Sequence, residues 1–176
     1  MPTNTFEHLT KLDVAKLQLR DAIMLLFHER SAVAIHTLTA AAHKILDDIA
    51  QQKGMHTIRS LPYIREENKK TWSALLNEPQ NFFKHADRDP EASLDFHPEF
   101  PHFFLFDAIQ TYQELTQEPL FPEARIYLFW FLHKYPEFIE YLEETEFKSN
   151  ILPGLRNVGF DHNNFRMIRL MLQRWT

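Results

Sequence analysis

The densest group of residues that could do chemistry lies at residues 81–90, which read NFFKHADRDP. This stretch combines an amide, a histidine, basic side chains and carboxylates just before a proline. At about 100° per residue, a helix through it places its polar side chains on one face. That face carries Asn81, Lys84, His85 and Arg88. Because basic groups and amides pair well with anions, these residues are the predicted binding set for an anionic ligand or partner.

Aromatic side chains occupy the other side of the same helical turn. Phe82, Phe83 and Ala86 fall together there and are predicted to anchor the turn in a core. The turn is expected to begin at Pro79 and to stop before Pro90. A second interpretation stays open, in which the charged residues only pair with one another and with solvent.

Histidines at helical spacing form a second polar group earlier in the chain. His36 and His43 lie two turns apart, and Asp47 follows one turn beyond. Imidazole and carboxylate groups bind divalent metal ions, so these three residues are weak candidates for a metal site. The small residue Ala40 between them favours another interpretation, in which two helices approach closely and the histidines are hydrogen-bonded. No metal-binding motif of known spacing occurs, so neither a metal nor a cofactor is predicted.

The histidine group is placed on the second of two helices near the start of the chain. Thr10 is a capping residue for a helix over about residues 11–29. Ser31 caps a second helix that runs to about residue 52, where Gly54 closes it. The short junction between the two helices predicts an antiparallel hairpin.

A break is predicted just before the stretch at residues 81–90. Asn77 and Pro79 are expected to end a third helix, over about residues 64–76, and to restart the chain in a new turn. Further helices are predicted over about residues 102–116, from residue 122 onwards, over about residues 137–146 and over about residues 161–175.

Residue composition indicates a helical rather than a β-rich protein. The 176 residues include 16 phenylalanines but only 3 glycines, a balance typical of helices packed with bulky rings. The length suits one domain over residues 1–176. We therefore predict an all-α, single-domain helical bundle of five to seven helices, with residues 128–131 in its core.

Charge and hydropathy restrict the location and the partners of the protein. The net charge is −5, which disfavours indiscriminate nucleic-acid binding through a broad basic surface. No run of about 18 apolar residues occurs and no cysteine is present, so a cytoplasmic protein outside the membrane is expected. The expected partner is a nucleotide, an RNA or a protein. Exposed aromatic residues on a bundle are also compatible with a homodimer.

The pattern Asn81-x-x-x-His85, followed by Ala86 and an aspartate, resembles the helical motif of the higher eukaryote and prokaryote nucleotide-binding (HEPN) domains. The resemblance implies a small all-α bundle, and many HEPN domains are metal-independent ribonucleases of toxin–antitoxin and phage-defence systems. Their motif has an arginine a few residues before the histidine, whereas Gln80 precedes Asn81 here. The whole stretch at 81–90 also resembles a family of uncharacterised bacterial proteins of this length.

Two functions of different class follow from these patterns. One is a helical binding module that recognises an anionic group through the polar residues between 81 and 88. The other, implied by the resemblance, is a HEPN-like ribonuclease. Its weak catalytic candidates are His85, or Arg30 with His36, a pair that satisfies the arginine–histidine spacing. In such an enzyme a histidine transfers protons and an arginine stabilises the negative charge that develops at the phosphorus.

Overall fold

The computed structural model of the chain describes residues 6–59, 65–87, 89–136 and 138. Within these ranges the regular structure is helical and no strand is present, which confirms the predicted all-α bundle. The α-helices are α1 (Lys11–Phe27), α2 (Ala32–Gln52), α3 (Glu66–Lys84), α4 (Phe100–Thr116) and α5 (Pro122–Lys134). Arg88 and the predicted helix over 161–175 lie outside the described residues, as does the predicted helix over 137–146 apart from Phe138.

The first two helices form the predicted hairpin, and their ends are set by local sequence. The Thr10 hydroxyl accepts a hydrogen bond from the Asp13 amide at 3.1 Å, while the Asp13 carboxylate accepts one from the Thr10 amide at 2.9 Å. This reciprocal capping box satisfies two amides that the first turn of α1 leaves without helical partners. Ser31 precedes α2 as predicted, and Gly54 follows it with a φ of +71°, a conformation that favours glycine.

The core lies between α1, α2, α4 and α5. The hairpin is built with fully buried alanines on both helices, namely Ala15, Ala22, Ala42 and Ala50. Large rings fill the part of the core between α4 and α5, where Phe106 of α4 stacks on Phe131 of α5 with centroids 4.4 Å apart. Leu128 and Phe131 are fully buried, whereas residues 129 and 130 are only part-buried. The predicted core run is therefore confirmed at its two ends and not in its middle.

The third helix runs straight through the predicted break. It includes both Asn77 and Pro79, so the prediction that these residues end one helix and start another was wrong. The reason is the burial pattern, because Leu76 and Pro79 are buried while Trp72 and Phe83 are part-buried on the same face. Spacings of four, three and four residues keep that apolar face on one side of a single helix. Packing of this face against α2 therefore outweighs the backbone hydrogen bond that Pro79 cannot donate.

The segment between α3 and α4 is held to the bundle by an aromatic side chain. Phe96 is part-buried and packs against Phe83 of α3 and Phe100 of α4, with centroid distances of 5.1 and 6.3 Å. α4 then begins at Phe100, slightly before the predicted residue 102. None of the helices in the described ranges has the length and apolar character needed to cross a membrane.

Candidate functional site

The face of α2 that carries His36, His43 and Asp47 points to the interior of the protein. His36, His43 and Asp47 expose at most 2% of their surface. Both histidine rings contact Phe104 of α4, each with a centroid distance of 5.2 Å. The small residue Ala40 between them is also fully buried. The second interpretation of this face, close helix approach with hydrogen-bonded side chains, therefore describes His43 and Asp47.

His43 is held between an acid and a base. Its Nε2 lies 2.6 Å from Oδ2 of Asp107 on α4, and the Nε–H of Arg59 donates to its Nδ1 at 3.1 Å. Because Arg59 can only donate, Nδ1 is the acceptor and Nε2 carries the proton. This geometry describes a neutral imidazole that donates to Asp107. With both nitrogens engaged, His43 offers no lone pair to a metal or a substrate.

Asp47 is satisfied by neighbours from its own helix and from the following loop. One carboxylate oxygen accepts from the Thr57 hydroxyl at 2.5 Å, and the other from the Gln51 amide at 2.9 Å. The loop is fixed at a second point, because the amide of Ile58 donates to Asp107 at 3.2 Å. These bonds tie residues 57–58 to α2 and α4.

Arg59 extends this arrangement to α3. Its Nη1 donates to Oδ1 of Asn77, and its guanidinium lies 5.8 Å from the centre of the Phe104 ring. Trp72 of α3 also donates to the backbone oxygen of Ile58 at 2.7 Å. Burial lowers the pKa of the Arg59 guanidinium, an effect that the nearby carboxylates oppose. We call His43, Asp47, Thr57, Arg59, Asn77 and Asp107 the buried network.

His36 lies beside the buried network but takes no part in its hydrogen bonds. Its ring is surrounded by phenylalanines from α3, α4 and the segment between them, with centroids 5.2 to 5.9 Å away, namely Phe83, Phe96, Phe100 and Phe104. Neither ring nitrogen has a hydrogen-bond partner among the described residues. Burial, followed by the positive charge of Arg59, lowers the pKa of His36 to about 4.

These contacts determine what the sequence-based candidates on α2 can do. His36 is neutral near pH 7 and shielded by rings, while Arg30 is exposed at the turn before α2. His43 and Asp47, the other two weak metal candidates, are engaged by protein donors and acceptors. In the part of the chain that the structure describes, no three histidine or carboxylate side chains form a group that could hold a metal ion.

The outer face of α3 carries most of the predicted ligand-binding set. Asn81, Lys84 and His85 are all exposed, and Arg88 lies outside the described residues. Phe82 is 37% exposed and faces the same side as Asn81 and His85, so its prediction as a core anchor was wrong. Phe82 lies about 40° round the helix from Glu78 and about 60° from His85, both of which line the outer face, but about 100° from Phe83, which reaches the core side.

A groove of about 920 Å³ runs along this outer face. Its second wall is the segment that follows the helix. The α3 wall consists of Thr71, Ala74, Leu75, Glu78, Asn81, Phe82 and His85, and the segment supplies Asp87, Asp89, Ala92, Ser93 and Leu94. Lys84 is not part of the lining, because it lies about 120° round the helix from Glu78, which is in the middle of that wall. We call this feature the α3 groove.

Among the described residues, the ionisable side chains that line the α3 groove are mostly acidic. Glu78, Asp87 and Asp89 line it together with His85, whose Nδ1 lies 4.0 Å from Oδ1 of Asp87. Like charges repel and unlike charges attract across such a surface, although water and salt weaken both effects. The groove therefore favours a cationic group over the anionic one that the sequence predicted.

Sequence reasoning missed the residues that link the elements. Arg59 and Thr57 lie in a stretch that reads only as a loop, and Asn77 was interpreted as a helix breaker although it accepts a hydrogen bond inside α3. The α3 wall of the groove carries a visible signal, since Glu78, Asn81 and His85 recur at spacings of three and four residues.

Comparison with known proteins adds no relative. No family model, no curated protein and no solved structure matches this chain. The resemblance of residues 81–90 to the HEPN motif and to a bacterial family therefore stays a prediction from the sequence.

Proposed function

We propose that the protein is a helical binding module that holds a protein partner in the α3 groove. The observation that carries the proposal is the exposure of two large apolar side chains within one groove. Leu75 is 53% and Phe82 37% exposed, although the same helix buries Leu76 and Pro79. Apolar side chains surrounded by polar ones are typical of protein contact sites.

The buried network supports the proposal by holding one wall of the α3 groove in place. Arg59 and the backbone of Ile58 bind α3 through Asn77 and Trp72, on the turns next to the groove residues. A wall that is already ordered loses less conformational entropy when a partner binds. The network therefore serves binding indirectly, without contacting the partner.

The HEPN-like ribonuclease has less support from the described residues. A nuclease needs its histidine within hydrogen-bond reach of the RNA, and His36 is fully buried among phenylalanines. His85 is exposed, but the carboxylates of Glu78 and Asp87 line the same groove and repel an RNA phosphate.

A peptide selection tests the proposal. Random peptides of about 16 residues, displayed on phage, are selected on the wild-type protein and counter-selected on the variant Phe82→Ser. Because Phe82 is exposed, this substitution should leave the fold intact. We expect sequences whose affinity falls at least about tenfold on the variant, a loss of about 1.4 kcal/mol. Circular dichroism checks that the variant is folded.

Two results would count against this function. One is a selection that never yields a peptide able to distinguish the wild-type protein from Phe82→Ser. The other is cleavage of mixed RNA in EDTA by the purified protein, if His85→Ala abolishes that cleavage, because the ribonuclease would then be the better proposal.

A further inference from the structure

We infer that the occupant of the α3 groove is a basic amphipathic helix of a partner protein. This inference rests on the proposed function and adds the chemistry of the partner. It draws on three properties of the groove, which are its charge, its length and the spacing of its apolar side chains.

The charge of the groove selects a basic segment. Exposed carboxylates stand on both walls, Glu78 on α3 and Asp89 on the following segment. The chain around them is also acidic, since residues 78–123 hold ten acidic residues against two basic ones, Lys84 and Arg88. Lysine or arginine side chains at the edges of a bound segment would meet carboxylates on either side.

Length and apolar spacing select a helix. The α3 wall extends from Thr71 to His85, which is about 21 Å or four helical turns. Leu75 and Phe82 lie two turns apart along it, and Leu94 stands on the opposite wall. A partner helix with apolar residues three, four and seven positions apart would place one on each of these contacts.

A second copy of this chain fits the groove less well. A two-fold contact between two α3 grooves would bring Glu78 and Asp89 of one copy close to the same carboxylates of the other. Such a contact buries like charges, whereas a basic helix neutralises them.

The sequences that emerge from the selection test this inference. Peptides that depend on Phe82 are expected to carry a net positive charge and apolar residues at helical spacing. One such peptide, labelled with a fluorophore, is then titrated with Glu78→Gln and with Asp89→Asn, each expected to weaken binding about two- to fivefold. Glu66→Gln is the matched control, because it removes an exposed carboxylate at the start of the same helix, about 120° round from Glu78 and outside the groove lining. Its affinity should equal that of the wild-type protein.

Other outcomes overturn the inference and are distinguishable from failure of the proposed function. Groove-dependent peptides that are neutral or acidic, or that lack helical spacing, refute the basic helix and leave the binding module standing. A synthetic peptide of residues 161–176 that binds through Phe82 as tightly as the selected peptides would make this chain's own segment the occupant. A dimer seen by light scattering that Phe82→Ser dissociates would make a second copy the occupant. If no selected peptide depends on Phe82, both the inference and the proposed function fail.

Discussion

The polar face of α2 and the outer face of α3 have similar residue types but opposite environments. Each combines histidine, carboxylate and small side chains at helical spacing. On α2, His43 and Asp47 are buried and fully engaged by hydrogen bonds. On α3, Asn81 and His85 are exposed along a groove. Periodicity thus predicts which residues share a face, but whether that face meets another helix or solvent depends on partners that are remote in sequence.

The difference also separates stability from binding. A buried polar group costs free energy when its partner is removed, because the group left behind is neither solvated nor hydrogen-bonded. An exposed group remains hydrated, so its removal changes recognition and leaves folding almost unchanged. Substitutions in the two regions should therefore differ in their effect on the free energy of unfolding.

The largest loss of stability is expected from His43→Ala. The substitution removes the imidazole that donates to Asp107 and accepts from Arg59, and each polar group that loses a buried partner costs about 1 to 3 kcal/mol. Urea unfolding followed by circular dichroism measures the loss. The neighbouring Lys44→Ala is the control, since its ion pair with Asp48 is exposed and should contribute less than about 0.5 kcal/mol. Equal effects of the two substitutions would mean that the network does not stabilise the bundle.

A smaller difference is expected between adjacent phenylalanines of α3. Phe83 packs against His36 and Phe96, so Phe83→Ala should cost about 3 kcal/mol through lost burial and cavity formation. Phe82 lies in the α3 groove, and Phe82→Ala should cost about 1 kcal/mol because part of its surface already meets water. Unfolding of the two variants under identical conditions measures the difference. If Phe82→Ala lost more stability than Phe83→Ala, then Phe82 and not Phe83 would be the residue of α3 that packs in the core.

The two regions show what the sequence could and could not predict. The all-α fold, the α1–α2 hairpin and its caps follow from local signals such as Thr10 and Gly54, because these act within one helical turn. The continuity of α3 could not be predicted in this way, since it depends on packing that outweighs Pro79. Arg59 could not be identified either, because its partners His43 and Asn77 lie 16 and 18 residues away and no periodic pattern joins them.

Acidification tests the burial of His36. Its pKa falls from the usual 6.5 to about 4, mainly because burial disfavours the charged ring. Between pH 6.5 and pH 4 the unfolded chain therefore binds a proton at His36 that the folded chain does not bind. The contribution of neutral His36 to the free energy of unfolding is complete above pH 6.5 and is lost as the pH falls toward 4. At pH 5 the loss amounts to about 2 kcal/mol.

The variant His36→Leu isolates this contribution from other titrating groups. Leucine fills the space among the phenylalanines around residue 36 and has no titratable nitrogen. As the pH falls from 7 to 5, the free energy of unfolding of the variant should therefore rise by about 2 kcal/mol relative to that of the wild-type protein. Urea unfolding at both pH values provides the comparison. If wild type and variant lose the same stability over this interval, the imidazole is accessible to protons in the folded state.

The smallest effects are expected on the outer face of α3. Asn81, Lys84 and His85 are exposed, so replacing each with alanine removes little buried surface and should change the free energy of unfolding by no more than about 0.5 kcal/mol. Asn81→Ala and His85→Ala should nevertheless weaken a peptide bound in the α3 groove, because both side chains line it. Lys84→Ala is the internal control, since Lys84 lies outside the lining and should leave peptide affinity unchanged. A loss above about 2 kcal/mol for Asn81→Ala or His85→Ala would identify a buried hydrogen bond at that position. The outer face of α3 would then resemble the polar face of α2, and the α3 groove would be part of the scaffold rather than a binding surface.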